Sequence, residues 1–133
     1  MRGLGAVLVM LVSSGTAFAQ DRPAPDYFLQ TLTDLNLAQA LATQCQELSI
    51  DPAAAQMRTD DVLDQLEADG FDRNDPVSQM ADASVALGQL QDAFVTRHSL
   101  AGADRTAYCA AGQQDVEAAI GPGQFLVKIV AQN

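Results

Sequence analysis

Cysteine and histidine are the residues of this sequence whose chemistry is most easily recognised, and they are few: Cys45, His98 and Cys109. They cannot supply the four ligands of a structural zinc site. The chain also lacks the C-x-x-C pair of a dithiol redox centre and the C-x-x-C-H motif of haem attachment. We predict a disulfide between the two cysteines, whose loop closure contributes about 4 kcal/mol. A thiolate nucleophile with His98 as its base is the alternative.

The disulfide prediction depends on export, and the first 19 residues have the features of a secretory signal peptide. Arg2 provides a positive start, an apolar run follows, and Ala17-Phe18-Ala19 is a small-x-small cleavage signal. Gln20 would then be the mature N-terminus. The apolar run is too short to span a bilayer. We therefore predict a periplasmic or secreted protein, soluble after cleavage of residues 1–19, in a compartment where a disulfide persists.

Acidic side chains are densest in a segment that we call the acidic face, formed by Asp60, Asp61, Asp64 and Glu67. Asp60, Asp64 and Glu67 recur at steps of four and three residues, which places them on one side of a helix. Such a surface is most often simply solvated. The functional alternative is a docking surface for a basic periplasmic protein, because opposite charge steers association.

His98 is expected near the C-terminus of a helix, where a protonated imidazole interacts favourably with the helix dipole. The alternative is a haem ligand paired with Met57 or Met80. Both methionines are expected to fill the core, so no cofactor is predicted.

The loop at residues 69–75 contains side chains that suit calcium but departs from the calcium-loop pattern. Pro76 falls at a ligand position and Val77 falls where glycine is required. We therefore predict no metal site. Paired carboxylates could serve a small hydrolase, but no pair stands out among the 17 acidic residues.

These side chains must be positioned by a single domain over residues 26–133, preceded by an extended lead-in at residues 20–25. Apolar residues at helical spacing predict about four helices, over residues 26–49, 52–69, 76–98 and 105–120. The predicted fold class is all-α, a small helical bundle in which the disulfide links the first and fourth helices.

Local signals fix the expected helix boundaries. Asp51-Pro52, Asp75-Pro76 and Asp104 are predicted helix starts, because aspartate caps free backbone N–H groups and proline suits the first turn. Gly70-Phe71 is a predicted Schellman stop, in which Phe71 packs on Leu66.

The C-terminal segment is ambiguous after the break at Gly121-Pro122-Gly123. Residues 124–130 contain β-branched side chains that suit a strand, but no partner strand is evident elsewhere in the chain. We favour a short helix or an irregular, extended tail docked on the core. In a reserve hypothesis, residues 125–130 donate a strand to the sheet edge of a partner.

Overall charge excludes two classes of partner. The formal net charge is -10 and the sequence pI is about 4.1. Nucleic-acid binding requires a basic surface, and attraction to anionic lipid requires the same. We therefore predict no nucleic-acid partner and, after cleavage of the leader, no membrane association.

Several of these features occur together in a known group of proteins. Cys45, the Gly70-Phe71 stop, and Tyr108-Cys109-Ala110-Ala111-Gly112 with Glu117 resemble a domain-of-unknown-function family of small exported two-cysteine helical proteins from alphaproteobacteria. The resemblance implies an all-helical fold with one disulfide, and it carries over no catalytic residues. The chain departs from the family pattern at Ala110, where a basic residue is common, and at the break that precedes Phe125.

Two functions from different classes follow from these observations. The first is a non-enzymatic interaction or accessory protein, which the acidic excess and the missing catalytic constellation favour. The alternative is a small carboxylate-dependent hydrolase, which would require two acids that converge in a pocket and differ in pKa.

Overall fold

The computed structural model describes residues 22–130, so the predicted signal peptide lies outside the described part. These residues form a mostly helical bundle with a small two-stranded sheet, which confirms the predicted fold class. The elements are α1 (Asp26–Gln44), β1 (Leu48–Ile50), α2 (Pro52–Ala68), a 3-10 turn (Val77–Gln79), α3 (Ser84–Arg97), α4 (Arg105–Ala118), a second 3-10 turn (Gly121–Phe125) and β2 (Leu126–Lys128).

Two of the predicted caps start α-helices as expected. The Asp51 carboxylate accepts hydrogen bonds from the N–H groups of Ala53 and Ala54, both at 3.1 Å. The Asp104 carboxylate accepts one from Ala107 at 3.0 Å. Each aspartate satisfies backbone donors that a helix N-terminus leaves free.

The predicted stop of α2 is a Schellman motif. Gly70 has a φ of 87°, and the Phe71 N–H donates to the Leu66 carbonyl at 2.9 Å. Phe71 and Leu66 are both buried in one apolar cluster with Val62. The local signal at Gly70-Phe71 therefore predicts both the chain reversal and the packing.

The first helix is shorter than predicted, and the tail is a strand. α1 ends at Gln44 instead of residue 49, because Cys45 adopts extended backbone angles (φ -115°, ψ 115°). Residues 48–50 then pair with residues 126–128 in an antiparallel register centred on Ser49 opposite Val127. Leu126–Lys128 are thus extended, one of the two forms expected for the tail, and the short helix is wrong for these residues. The expectation that no partner strand exists is also wrong, and part of the segment considered for strand donation already pairs within the chain.

The third helix is also shorter than predicted. Asp75-Pro76 starts only the 3-10 turn, and α3 begins at Ser84 rather than residue 76. The interruption has a local cause, because the Asp82 carboxylate accepts from both the backbone N–H of Ser84, at 2.8 Å, and its hydroxyl, at 2.7 Å. The Arg22 N–H donates to the Gln79 carbonyl, and the Ala81 N–H donates to the Arg22 carbonyl, so these two hydrogen bonds hold the chain extended just before this point.

The predicted disulfide is present and joins the end of α1 to α4. Cys45 and Cys109 have Cα atoms 5.6 Å apart and close a loop of 64 positions. Cys45 belongs to the main apolar cluster, together with Ala38, Leu41, Leu48, Phe94, Leu100, Ala111, Phe125 and Leu126. The disulfide therefore links the end of α1 to α4 next to the main apolar cluster, to which β1 and β2 also contribute residues. Within the described residues, no helix is both long enough and apolar enough to cross a membrane.

Candidate functional site

A buried polar network lies where α3, α4 and the following turn meet. The Arg97 guanidinium donates two hydrogen bonds to the Asp115 carboxylate, at 2.9 and 2.8 Å. The His98 Nε2 lies 2.9 Å from the same carboxylate. Asp115 is only 1% exposed, whereas the Arg97 side chain is 39% exposed. The network therefore runs from the surface into the core and neutralises a carboxylate that could not otherwise be buried.

The ends of α3 and α4 position this network. Asp115 follows Ala111 and Gly112 on the buried side of α4, one helical turn further along. Arg97 and His98 are the last residue and the C-terminal cap of α3. That helix ends in a Schellman arrangement, in which Ser99 has a φ of 54° and Leu100 donates to the Val95 carbonyl at 2.8 Å. The left-handed residue at Ser99 turns the following backbone away from the end of α3, so the side chains of Arg97 and His98 remain against Asp115.

The glycine-proline-glycine break closes over the network. Gly121 has a φ of 49°, a conformation that other residues adopt only with strain. At Gly123, a Cβ atom would lie 2.0 Å from the Asp115 carbonyl carbon. The backbone of the turn therefore passes directly across the backbone of α4, which only glycine permits. This contact explains the break that the sequence shows before Phe125.

His98 has a second role beyond the predicted interaction with the helix dipole. Its ring lies at the C-terminus of α3, as expected, but Nε2 is engaged with Asp115, and the ring packs edge-on against Phe94 with centroids 5.0 Å apart. The expectation that Met57 fills the core is wrong, because it is 64% exposed on α2.

A second buried carboxylate, Asp34 of α1, lies near the network. Asp34 Oδ1 and Asp115 Oδ2 are 3.8 and 3.1 Å from the position of a Cβ atom built on Gly121. Asp34 is 6% exposed and accepts a hydrogen bond from Gln30 Nε2 at 3.1 Å. Burial raises the pKa of Asp34, and this effect outweighs the Gln30 hydrogen bond and the nearby Arg97 guanidinium, which lower it.

The two carboxylates converge, but they do not form the catalytic pair that the hydrolase hypothesis requires. Both oxygens of Asp115 are occupied by Arg97 and His98, and the residue is sealed from solvent. Only Asp34 borders an open groove, which has a volume of about 390 Å³ and lies between α1 and α3. Glycoside hydrolysis needs two carboxyl groups that both reach the substrate. The geometry therefore favours a structural role for Asp115.

The acidic face lies on α2, as predicted, and its four side chains are exposed. Asp60 accepts a hydrogen bond from Gln56 at 3.0 Å, within the same helix. Arg73 forms an ion pair with Asp64 and lies 3.7 Å from Glu67. Asp60 and Asp61 have no ion pair among the described residues. The acidic face therefore has one uncompensated half, and its predicted role in docking remains a prediction.

The aspartates of the loop at residues 72–75 make local turns. The Asp72 carboxylate accepts from the Asn74 N–H at 2.9 Å, and the Asp75 carbonyl accepts from the Ser78 hydroxyl at 3.0 Å. Across residues 22–130, no three histidine, cysteine, aspartate or glutamate side chains are placed to hold a metal ion.

The fold and the network describe this chain as a small helical domain with one disulfide, in which an arginine–aspartate–histidine network joins two helix ends to a glycine-rich turn. The chain belongs to DUF5333, a family of unknown function, which matches residues 23–127. The expectation of a domain of unknown function is thereby confirmed, whereas alphaproteobacterial origin and export stay predictions. No curated protein and no solved structure matches the chain.

Sequence reasoning missed Asp34, Arg97 and Asp115 as members of a site. Asp115 carried a usable signal, because it follows Ala111 and Gly112 at helical spacing and therefore shares their buried face. A carboxylate on such a face requires a cationic partner. The identity of that partner depends on tertiary contacts, which the sequence pattern does not specify.

Proposed function

We propose that this protein is an exported, non-enzymatic accessory protein that binds a basic partner through the acidic face. The observation that carries the proposal is the exposure of all four acidic side chains on α2, with Arg73 as the one basic residue paired to them in the described part of the chain. Asp60 and Asp61 are thus free to pair with cationic groups of another molecule.

The charge of the whole chain supports the same proposal. A formal net charge of -10 creates a negative potential around the molecule, and a concentrated acidic surface speeds encounter with a cationic partner. Surface charge pairs contribute modest affinity, so we expect binding that weakens steeply as salt is raised.

The buried network supports a non-enzymatic role. Every fully buried side-chain nitrogen or oxygen atom of the described residues has a hydrogen-bond partner within the protein. Asp115 is fully committed to Arg97 and His98, so it is not available to a substrate. These side chains act as a brace between helix ends, a role that stabilises a binding scaffold.

Capture from a periplasmic extract at low salt tests the proposed docking. The tagged wild-type protein is compared with Asp60→Asn/Asp61→Asn, which neutralises the uncompensated half of the acidic face. The matched control is Glu47→Gln/Asp92→Asn, which removes two exposed charges elsewhere. We expect the wild type and the control to capture a basic protein that is released when salt is raised. The acidic-face variant should not capture it. Equal capture by both variants contradicts the proposal.

Export is tested independently of binding. Protein recovered from cells should begin at Gln20 and fractionate with the periplasm or the medium. Recovery of chains that still begin at Met1 would contradict cleavage of the leader in favour of an uncleaved N-terminal anchor, and recovery only from the cytoplasm would contradict export.

A further inference from the structure

A continuous groove runs between α1 and α3. Its two adjoining hollows, of about 590 and 390 Å³, share Gln30 and Leu90. One wall follows α1 at steps of four residues, through Asp26, Gln30 and Asp34, which a helix aligns over about 12 Å. The other wall is formed by α3, with Leu90 and Ala93 at its middle, Gln89 beside them and Arg97 at its end. The groove therefore has an acidic and amide-lined side on α1 and, opposite Gln30 and Asp34, an apolar stretch on α3 that ends at Arg97.

Asp34 is incompletely satisfied within this groove. One of its oxygens, Oδ1, accepts from Gln30, and the other has no hydrogen-bond partner among the described residues. That second oxygen is not sealed in, because no fully buried polar side-chain atom of the described chain lacks a partner. Asp34 as a residue is more than nine-tenths buried, and its side chain forms part of the groove lining.

The surrounding charges do not supply the missing partner. Arg97 of α3 is engaged on Asp115 of α4 through both terminal nitrogens. Arg58 of α2 acts on Asp34 only through its longer-range charge, and Asp115 opposes both arginines. The net result is a desolvated carboxyl group whose pKa stays raised. A cation that entered the groove would offset this cost of burial.

We propose that the groove between α1 and α3 binds one lysine side chain of an extended basic segment of the partner protein, with its ammonium group against Asp34. This inference rests on the proposed function and names a second contact with the same partner. The apolar stretch on α3 accommodates the methylene stem of the lysine. A lysine fits better than an arginine, because a guanidinium fork prefers both carboxylate oxygens and Gln30 occupies one of them.

The raised pKa of Asp34 gives this contact a pH signature. An ammonium ion lowers the pKa of Asp34 in the complex, so binding releases a proton where the free carboxyl group is still protonated. Affinity should therefore increase with pH up to the pKa of the free protein and remain constant above it. Replacing Asp34 removes this dependence.

Titration with short peptides tests the inference on the complete mature chain. The probe is an acetylated and amidated hexapeptide of alternating alanine and lysine, and its controls carry Nε-acetyl-lysine or arginine. We expect the lysine peptide to bind and shift the NMR signals of Leu90 and Ala93, the arginine peptide to bind more weakly, and the acetylated peptide not to bind. Asp34→Asn should weaken lysine-peptide binding tenfold or more, whereas Asp92→Asn, on the exposed surface of α3, should leave it within twofold.

A substitution in the wall of the groove provides a second test, because a long side chain there occupies the proposed binding site. Ala93→Lys places an ammonium group beside Asp34 and should block the peptide, whereas Ala93→Met adds a comparable chain without charge and should block it less. Equal weakening by Asp34→Asn and Asp92→Asn, or equal binding of the acetylated peptide, overturns the inference. Tighter binding of free spermidine than of the peptide also overturns it, in favour of a small amine.

The two proposals fail in different ways. If capture depends on Asp60 and Asp61 but Asp34→Asn changes nothing, the groove contact is wrong and docking on the acidic face stands. If the lysine peptide binds at Asp34 but no basic protein is captured by the wild type, the proposed function fails, and with it the assignment of the groove to a partner protein.

Discussion

Replacement of Arg97 by methionine is the most informative perturbation of the buried network. It keeps an unbranched side chain on α3 but removes both guanidinium hydrogen bonds from Asp115, leaving that carboxylate with His98 alone. Removing one partner of a buried ion pair costs about 3–5 kcal/mol. Because the Arg97 side chain is 39% exposed, water already screens part of the pair, and we expect a loss of about 2–3 kcal/mol. For a domain of this size, that loss lowers the Tm by about 10 °C.

Urea denaturation with the disulfide intact measures this loss as a lower midpoint with an unchanged slope. The matched control is Arg105→Met, which removes an exposed arginine without a side-chain hydrogen bond in the described structure and should change stability by less than about 0.5 kcal/mol. Adding Asp115→Leu to Arg97→Met should recover part of the loss, because no buried charge then remains. If Arg97→Met is no more destabilising than Arg105→Met, the assigned role of the network is refuted.

Three further predictions concern the turn, the groove and the disulfide. Gly123→Ala should destabilise the fold by about 3 kcal/mol or more, since its Cβ would overlap the α4 backbone. Gly88→Ala, in open space on α3, should stabilise the fold by up to about 1 kcal/mol, and thermal unfolding compares the two variants. Burial raises the pKa of Asp34 in the folded state, so ionised Asp34 opposes folding above that pKa. Asp34→Asn should therefore be more stable than wild type at neutral pH, and the difference in the free energy of unfolding should vanish as pH falls below the unfolded-state pKa of about 3.9. Urea titrations across pH measure this difference. Cys45→Ala/Cys109→Ala should lower the free energy of unfolding by about 4 kcal/mol, and an unchanged urea midpoint would contradict the stabilising role of the bond.

Local signals in the sequence predict the helix ends whose partners are close along the chain. Asp51 and Asp104 bind N–H groups two or three residues away, and Gly70-Phe71 folds back on Leu66, so their chemistry is contained in a short segment. The disulfide was also predictable, because the signal-peptide features predict export to an oxidising compartment, where two cysteines have one way to pair.

Long-range partners explain what sequence patterns do not predict. β1 becomes a strand because it pairs with β2, which lies more than 70 residues further along the chain, so no short hairpin turn links the two strands in the sequence. The start of α3 moves to Ser84 because Asp82 competes for its N–H group and Arg22 holds the preceding segment extended. The site was missed for the same reason, since Asp34, Arg97 and Asp115 come from three helices.

The docking of a basic partner on the acidic face is tested most directly by photocrosslinking in living cells. Met57 is exposed on α2 and precedes Asp60 and Asp61 by three and four residues, so a photoreactive residue in its place samples the acidic face. Val127, exposed on β2 and outside the groove lining, provides the matched control. We predict a crosslink to a basic periplasmic protein from position 57 that Asp60→Asn/Asp61→Asn abolishes, and none from position 127. Equal crosslinking from both positions, or none from position 57, would contradict the account.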